Sequence, residues 1–499
     1  MGENLEALRQ RLRKIYCVRE AAAVLSWDQE TGMPSGAADV RADQASTLSE
    51  IAHGLLVAPE TGALLAAAET EMEDPASEDG HFLRRVRREF QRETSLPQTL
   101  VAELASATSR AQSVWAKAKR SKDFALFLPE LTRVLHLTRE AASCYGYEEH
   151  PYDALLEGYE PGLRTSTLRP LFEGLRGRLT DLVRRLAAAP QVDDRLLHQP
   201  FDVARQREFV HRLAREIGYD FDHGRIDESE HPFCISFSTR DVRITNAYDT
   251  NYLGRSIFGV LHETGHALYE QGSPDSWVHG PLEGGASMGV HESQSRLWEN
   301  LVGRGRPFWS HYYPELVKVF PEQLAGHDLD AFHRAINRVQ PSLIRVEADE
   351  VTYNLHIMLR FELELALLDG SLEPAGLPEA WNRGMKDYLG LEVPDDGAGC
   401  LQDVHWSLGL VGYFPTYTLG NLLAAQLWER LREDLPDLDA DLARGHFRGL
   451  LGWLRRTMHV HGSRYTPEEL IRQVTGRDLE AEPFMRYLEG KFGALYGLS

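Results

Sequence analysis

The chain has 499 residues, 42% apolar and 26% charged, a balance that excludes wholesale disorder and suits a folded enzyme with one or more large cores. Its 54 basic and 75 acidic residues leave a net charge of −21, which argues against a nucleic-acid backbone or an anionic membrane surface as partner. No window is apolar for long enough to span a bilayer, and Met1 to Tyr16 is charged and helix-like, without the apolar stretch of a signal peptide.

Apolar residues at three- and four-residue spacing predict helices over Leu5 to Val24, Leu168 to Leu186 and Val203 to Ile217. Glu71 to Gly80, acid-rich and containing Pro75, reads as an exposed loop. Strand signal is scarce. The clearest candidate is a hairpin pairing Phe233 to Ser238 with Val242 to Ala247 through Thr239, Arg240 and Asp241. Pro341 to Leu368 reads as one long helix, with Pro341 in its first turn and Gly370 just past its end. Val393 to Gly399 reads as a second loop and Asn421 to Leu431 as a further helix. No repeat or low-complexity linker divides the chain. The expectation is one large, mainly α-helical catalytic unit with lobes: N-terminal helices over roughly 1–220, a metal- and substrate-binding part over roughly 221–430, and C-terminal helices over 431–499. Cys17, Cys144, Cys234 and Cys400 are too far apart for a C-x-x-C pair. They are expected to be reduced and buried, and a cytoplasmic location follows.

His262-Glu263-Thr264-Gly265-His266 carries the strongest chemical signal. Two His four residues apart project from one helix face, so their nitrogens can meet one zinc at roughly 2.0–2.1 Å. Glu263, beside the first His, is then placed to take a proton from zinc-bound water attacking a scissile carbonyl. Ile257, Val260, Leu261 and Leu268 give the segment an apolar body, which disfavours a solvated surface helix. A catalytic zinc wants a third protein ligand and one open position. Glu292, in His291-Glu292-Ser293-Gln294, is the first candidate; Glu283 and Glu299 are its rivals. A third His of the metzincin kind is absent. Cobalt or manganese could occupy the same ligands.

Together with other motifs, this helix makes the chain resemble the carboxypeptidase Taq family of zinc metallocarboxypeptidases. The motifs are Trp27 to Thr31 with Met33-Pro34, His231-Pro232-Phe233, Asp241 to Thr245, His262 to His266, His291 to Gln294, Ile344 to Glu350, and Gly399 to Trp406. The ordered set, running from Trp27 to about Tyr417, is far more specific than H-E-x-x-H alone. The resemblance implies a largely helical fold with a deep cleft, a small sheet beside it, and a homodimer. It also implies removal of single residues from peptide C-termini with broad side-chain tolerance, and it favours Glu292 as third ligand.

Recognition of a free carboxylate calls for Arg, whose planar fork makes two parallel hydrogen bonds. The resemblance favours Arg345 as anchor; an internal Arg345–Asp349 ion pair along the helix is the competing structural reading. Arg243 is the runner-up, unless it serves the hairpin through Asp241. The hairpin edge could accept an extended peptide, or be purely structural. His405 is a candidate for the oxyanion or the substrate carboxylate, Tyr413 and Tyr417 for the oxyanion, and Asp403 for orienting a metal-ligand His. His231 is a substrate contact or a hairpin anchor, and Trp27 and Asp28 are expected to pack the N-terminal helices or line the cleft. The expected partners are peptides with a free C-terminal carboxylate. The alternatives are an oligopeptidase or aminopeptidase on a similar helix, or a helical binding protein with a dead metal site. Intact His262, Glu263 and His266 speak against the last.

Overall fold

The structure, a computed structural model, describes residues 2–498. Helices carry most of it; among the described residues the strands are three short ones. By its internal contacts the chain divides into two units. The first joins Met1–Thr94, Asp194–Ile336 and Leu427–Asp478; the second joins Ser95–Asp193, Asn337–Gln426 and Leu479–Ser499. Among the described residues no single helix is long and apolar enough to cross a membrane.

In the first unit the helix Glu3–Thr31 presents Leu5, Leu8, Leu12 and Ile15 as a stripe at three- and four-residue spacing. That stripe is buried with Leu56, Leu65, Phe82, Leu83 and Val86 of the following helices and with Trp277 and Leu282 of a later loop. The helix Gly254–Glu270, which carries the two His, is buried on nearly every face, from Ile257 and Val260 through Leu261 to Leu268. Its neighbours are the sheet, the helix Val203–Ile217, and the helix Met288–Arg296 with the π-helical turn that continues it.

The sheet has the order β1-β3-β2, with β1 at Ile226–Glu228, β2 at Cys234–Ser238 and β3 at Asp241–Asn246. β2 and β3 are the expected hairpin, antiparallel with Cys234 opposite Ile244 and Ile235 opposite Arg243, and with an irregularity between Ser236 and Ser238. β1 joins β3 in parallel, Ile226 opposite Ile244. Three residues reading Ile-Asp-Glu are too short to show a period, so only pairing with β3 makes them a strand. β2 is left as an edge of the sheet.

The second unit is built around the helix Tyr353–Asp369. Leu355, Met358, Leu359 and Phe361 are buried in one core with Phe172, Leu175 and Leu179 of the helix Thr165–Ala188 and with Trp381 and Met385 of the helix Leu377–Leu389.

Two expectations are corrected. The single helix over Pro341 to Leu368 does not form. Arg345–Glu347 is one 3₁₀ turn, Ala348 is extended, and the α-helix begins only at Tyr353. The cause is Asp349. Its carboxylate accepts the backbone N–H groups of Gln340, Val351 and Thr352 and the Thr352 hydroxyl, a local bonding pattern that competes with helix propagation. The far end is as expected, with Gly370 at φ +81° closing the helix. The cysteines are all free, but only Cys400 is buried; Cys17 and Cys144 are exposed on helix faces that the core does not use.

Gly265, between Glu263 and His266, sits where two backbones meet. A Cβ there would lie 2.6 Å from the Gln294 carbonyl oxygen and 2.7 Å from the Ser295 Cα. Only glycine lets the two helices approach so closely. Gly265→Ala is therefore expected to force them apart, destabilising the protein by about 1–3 kcal/mol and weakening metal retention. Thermal denaturation with and without chelator checks this, and an unchanged midpoint in both would remove the constraint.

Candidate active site

His262 and His266 share one face of the helix Gly254–Glu270, their ring centroids 4.9 Å apart. The helix Met288–Arg296 starts at Ser287, whose hydroxyl accepts the Val290 N–H at 3.1 Å. It brings in Glu292, whose Oε2 lies 3.6 Å from His262 Nε2 and 3.4 Å from His266 Nε2. The three donor atoms lie within 4.8 Å of one another. Metal bonds of roughly 2.0–2.2 Å at tetrahedral angles place donors about 3.3–3.6 Å apart, so the set fits a zinc-class ion held by three protein ligands.

Each of the three donors is held from behind. Glu299 accepts from His262 Nδ1 at 2.9 Å. It sits on the π-helical turn Leu297–Val302, a wide turn of the kind that re-aims side chains at functional sites. His266 Nδ1 faces His291 Nδ1 at 2.5 Å, so one proton lies between the rings, and His291 Nε2 meets Glu270 Oε1 at 2.6 Å. Arg296 Nε donates to Glu292 Oε1 at 2.6 Å, and the Ser295 hydroxyl donates to Oε2 at 3.0 Å. These partners leave both Nε2 atoms and Glu292 Oε2 turned toward one another, as metal-ligating side chains require.

The electrostatics follow from burying several carboxylates together. Burial alone would raise Glu292 and Glu299. Arg296 and the imidazoles outweigh it, holding Glu292 well below the usual carboxylate range and, with Arg304, Glu299 at about 2. Burial disfavours the charged form of His262, but Glu292, Glu299 and Glu263 push it up to about 9. His266 has the opposite balance: burial, with His291 and His262 adding to it, lowers it to about 3. Without metal, then, His262 keeps a proton at neutral pH that a bound ion must displace. Burial, with Glu292 and Glu299, raises Glu263 to about 7. A cation bound beside it would draw that value down and leave it ionised.

The rivals for third ligand have other partners. Glu283 accepts the Thr239 and His279 N–H groups and the Thr239 hydroxyl. Glu299 fixes His262 from its far side. Asp403 does not orient either His of the helix, as the sequence reading had it. Its oxygens go to two arginines, Oδ1 to Arg345 Nε (3.0 Å) and Nη2 (2.8 Å) and Oδ2 to Arg360 Nε (2.7 Å). The Arg345–Asp349 pairing is likewise replaced, because the broken helix turns Arg345 to Asp403 and to the Tyr353 hydroxyl (3.0 Å).

This second cluster lies in the second unit. Two guanidinium groups share one carboxylate. Arg345 is 6% exposed and Arg360 0%. Burial, with the two arginines, lowers His405 to about 4, so it is neutral and its Nε2 meets the Tyr417 hydroxyl at 3.3 Å. Nearby Glu364 is pushed by burial up to about 7 and is held by Tyr152, Trp406 and the Gly412 N–H. The cluster therefore carries buried positive charge in excess. Tyr413 packs edge-on against Tyr417, their ring centroids 5.3 Å apart.

Arg243 makes a two-pronged bond to Asp241, 2.8 Å on each arm, and lies 4.7 Å from the Trp27 ring. Its fork is committed within the hairpin, and Trp27 packs the N-terminal helix against it. Asp28 pairs with Arg41 at 2.6 Å. His231 is exposed, and its carbonyl accepts from the Ser229 hydroxyl. Sequence reasoning gave no role to His291, Glu270, Arg296 or Arg360. The first and third stand within about one turn of Glu292 in sequence, and Glu270 stands one turn after His266 on its helix, but nothing in the spacing of Arg360 marks it.

A buried carboxylate beside two His on one helix, faced by a third donor from the next, defines a metallopeptidase of the H-E-x-x-H kind. The chain belongs to the carboxypeptidase Taq (M32) metallopeptidase family, whose description matches residues 7–492. It is 45% identical over 497 residues to thermostable carboxypeptidase 1 of Thermus thermophilus, with 97% of each chain covered. It is 38% identical over 486 residues to carboxypeptidase 1 of Bacillus subtilis, again with 97% of each covered. The crystal structure of the M32 carboxypeptidase from Deinococcus radiodurans superposes with a TM-score of 0.97 at 40% identity, covering 100% of both chains. The protein is a metallocarboxypeptidase, a peptide hydrolase.

The contact behind His262 generates a prediction. Glu299→Gln keeps the size of the side chain but loses the charge that holds the ring. Metal affinity is expected to fall roughly 10–100-fold, measured by competition with a chelator. Glu283→Gln, whose carboxylate is bonded to Thr239 and the His279 N–H and to neither ring, should leave it unchanged.

Proposed function

We propose that the protein is a zinc-dependent carboxypeptidase that releases single residues from peptide C-termini with broad side-chain tolerance. In this reading His262, His266 and Glu292 hold the ion, and Glu263 is the general base. The observation that carries the reading is the convergence of the three donors within 4.8 Å of one another, with Glu263 on the same helix. Zinc, when bound, supplies a Lewis acid and a water of lowered pKa; cobalt suits the same donors. Glu263 accepts the proton of the attacking water and returns it to the leaving amine. Arg345 anchors the substrate carboxylate. What supports this is its commitment of three of five N–H groups to Asp403 and Tyr353, which leaves one on each Nη among the described contacts. His405, neutral, donates to the substrate, and Tyr417 assists at the oxyanion, while Asp403 positions Arg345. Arg243 and Asp241 hold the hairpin, and His231 remains a substrate contact of this proposal. The edge strand β2 offers main-chain bonds indifferent to side chains, which suits broad tolerance. The whole chain acts as one catalytic unit, as a homodimer in the cytoplasm, on peptides and not on nucleic acid or membranes.

Glu263→Gln is expected to retain about one zinc per chain while kcat falls by roughly 10²–10⁴ or more. Metal analysis paired with turnover checks this; near-normal turnover would sink the assigned role.

The anchor is tested with one N-blocked peptide in two forms, free acid and C-terminal amide. The acid should be trimmed stepwise. The amide should react at least about thirtyfold more slowly, since an unpartnered buried charge costs about 2–5 kcal/mol. Arg345→Ala should slow the acid and narrow that gap, and Arg243→Ala should narrow it less. Internal cleavage, or equal rates on acid and amide, would favour the oligopeptidase reading.

A further inference from the structure

Away from the active site, Cys17, Glu20 and His279 present a sulfur, a carboxylate oxygen and a ring nitrogen within 4.8 Å of one another. Cys17 and Glu20 are neighbours one turn apart on the helix Glu3–Thr31. His279 comes from the loop between the helix bearing His266 and the helix bearing Glu292.

The His279 side chain is held in place at a cost. Its backbone is left-handed, φ +63°, one of two such non-glycine residues among those described. Its N–H donates to Glu283 Oε2 at 2.9 Å, and its Nδ1 meets Glu20 Oε2 at 2.6 Å. On either side of it Trp277 and Leu282 are buried with Leu5, Leu8 and Leu12 of the N-terminal helix, which fixes the loop against the residues it faces. A cavity of about 220 Å³, lined by Arg9, Arg13, Phe82 and Trp277, borders His279.

We propose that Cys17, Glu20 and His279 form a second metal site, for a divalent ion of the zinc class, that clips this loop to the N-terminal helix. Sulfur and imidazole donors with one carboxylate favour zinc or cobalt over calcium or magnesium, which require oxygen alone. Three protein donors leave a position for water. Its binding displaces the thiol proton and any proton shared by Glu20 and His279.

Cobalt spectroscopy on the full-length protein separates this site from the catalytic one, because the catalytic donor set contains no sulfur. After chelation, cobalt loading and desalting, the protein is expected to hold about two cobalt ions per chain. It should also show a thiolate-to-cobalt charge-transfer band in the near ultraviolet. Cys17→Ser should abolish the band and lower the content to about one ion per chain, with peptide hydrolysis retained. His279→Gln should weaken the band at limiting cobalt, while Cys144→Ser, the other exposed cysteine, should preserve it. A wild-type protein without the band, or a band that survives Cys17→Ser, overturns the proposal. Should Cys17→Ser fold poorly, cobalt protection of wild-type Cys17 from alkylation, read by peptide mass spectrometry, supports the site, and undiminished alkylation overturns it.

Discussion

The active site depends on keeping Glu292 ionised while it is buried beside two imidazoles. A lone carboxylate in that environment would take up a proton. Arg296 prevents this from the next turn of the same helix, its Nε 2.6 Å from Glu292 Oε1. The same arginine reaches Glu299 at 3.3 Å, so one cation stabilises both the carboxylate that faces the donors and the one that orients His262. Removing Arg296 would leave two buried acids in competition. The backbone contact at Gly265 serves the same end, since it sets how far Glu292 stands from the His helix.

Much of this was legible in the sequence because it is local. The spacing of His262 and His266 gives a shared face on any helix, and the helices Val203–Ile217 and Thr165–Ala188 follow from apolar spacing alone. The hairpin was readable within a residue at its outer ends because turn residues interrupt two apolar runs. What failed was non-local or hidden by competing local chemistry. The helix from Pro341 was broken by Asp349, whose side-chain bonds to nearby N–H groups no periodicity reveals. Arg345 then found Asp403, 58 residues away, in place of Asp349, four away. The third strand exists only through its partner. Glu299 was read as a rival ligand, and the π-helical turn instead aims it at the far nitrogen of His262, a shift in helical phase that 3.6-residue reasoning cannot produce.

Histidine shows how environment divides one residue type among roles. His262, ringed by carboxylates, is driven up to about 9, while His266, four residues on, is driven down to about 3 with His291 at its back. Both end with Nε2 facing Glu292, so geometry is common and protonation is not. In the second unit His405 is lowered to about 4 by burial and two arginines and offers a neutral ring. In the proposed reaction such a ring donates a hydrogen bond without adding charge to a cluster already rich in it.

That cluster also resolves an apparent conflict with the chain's net charge of −21. A protein so acidic should repel the anionic end of a peptide. At about 0.15 M salt, however, charges more than about 8 Å away across solvent are largely screened. A buried guanidinium is not screened in the same way, because the effective dielectric constant around it is several-fold lower than that of water. Arg345 and Arg360 outnumber the one carboxylate that binds them, and burial keeps Glu364 largely protonated below pH 7. A surplus of buried cation is costly when it stands alone. Under the proposed anchoring a substrate carboxylate would relieve it, and the local field, not the sum of surface charges, would decide which end of a peptide is attracted.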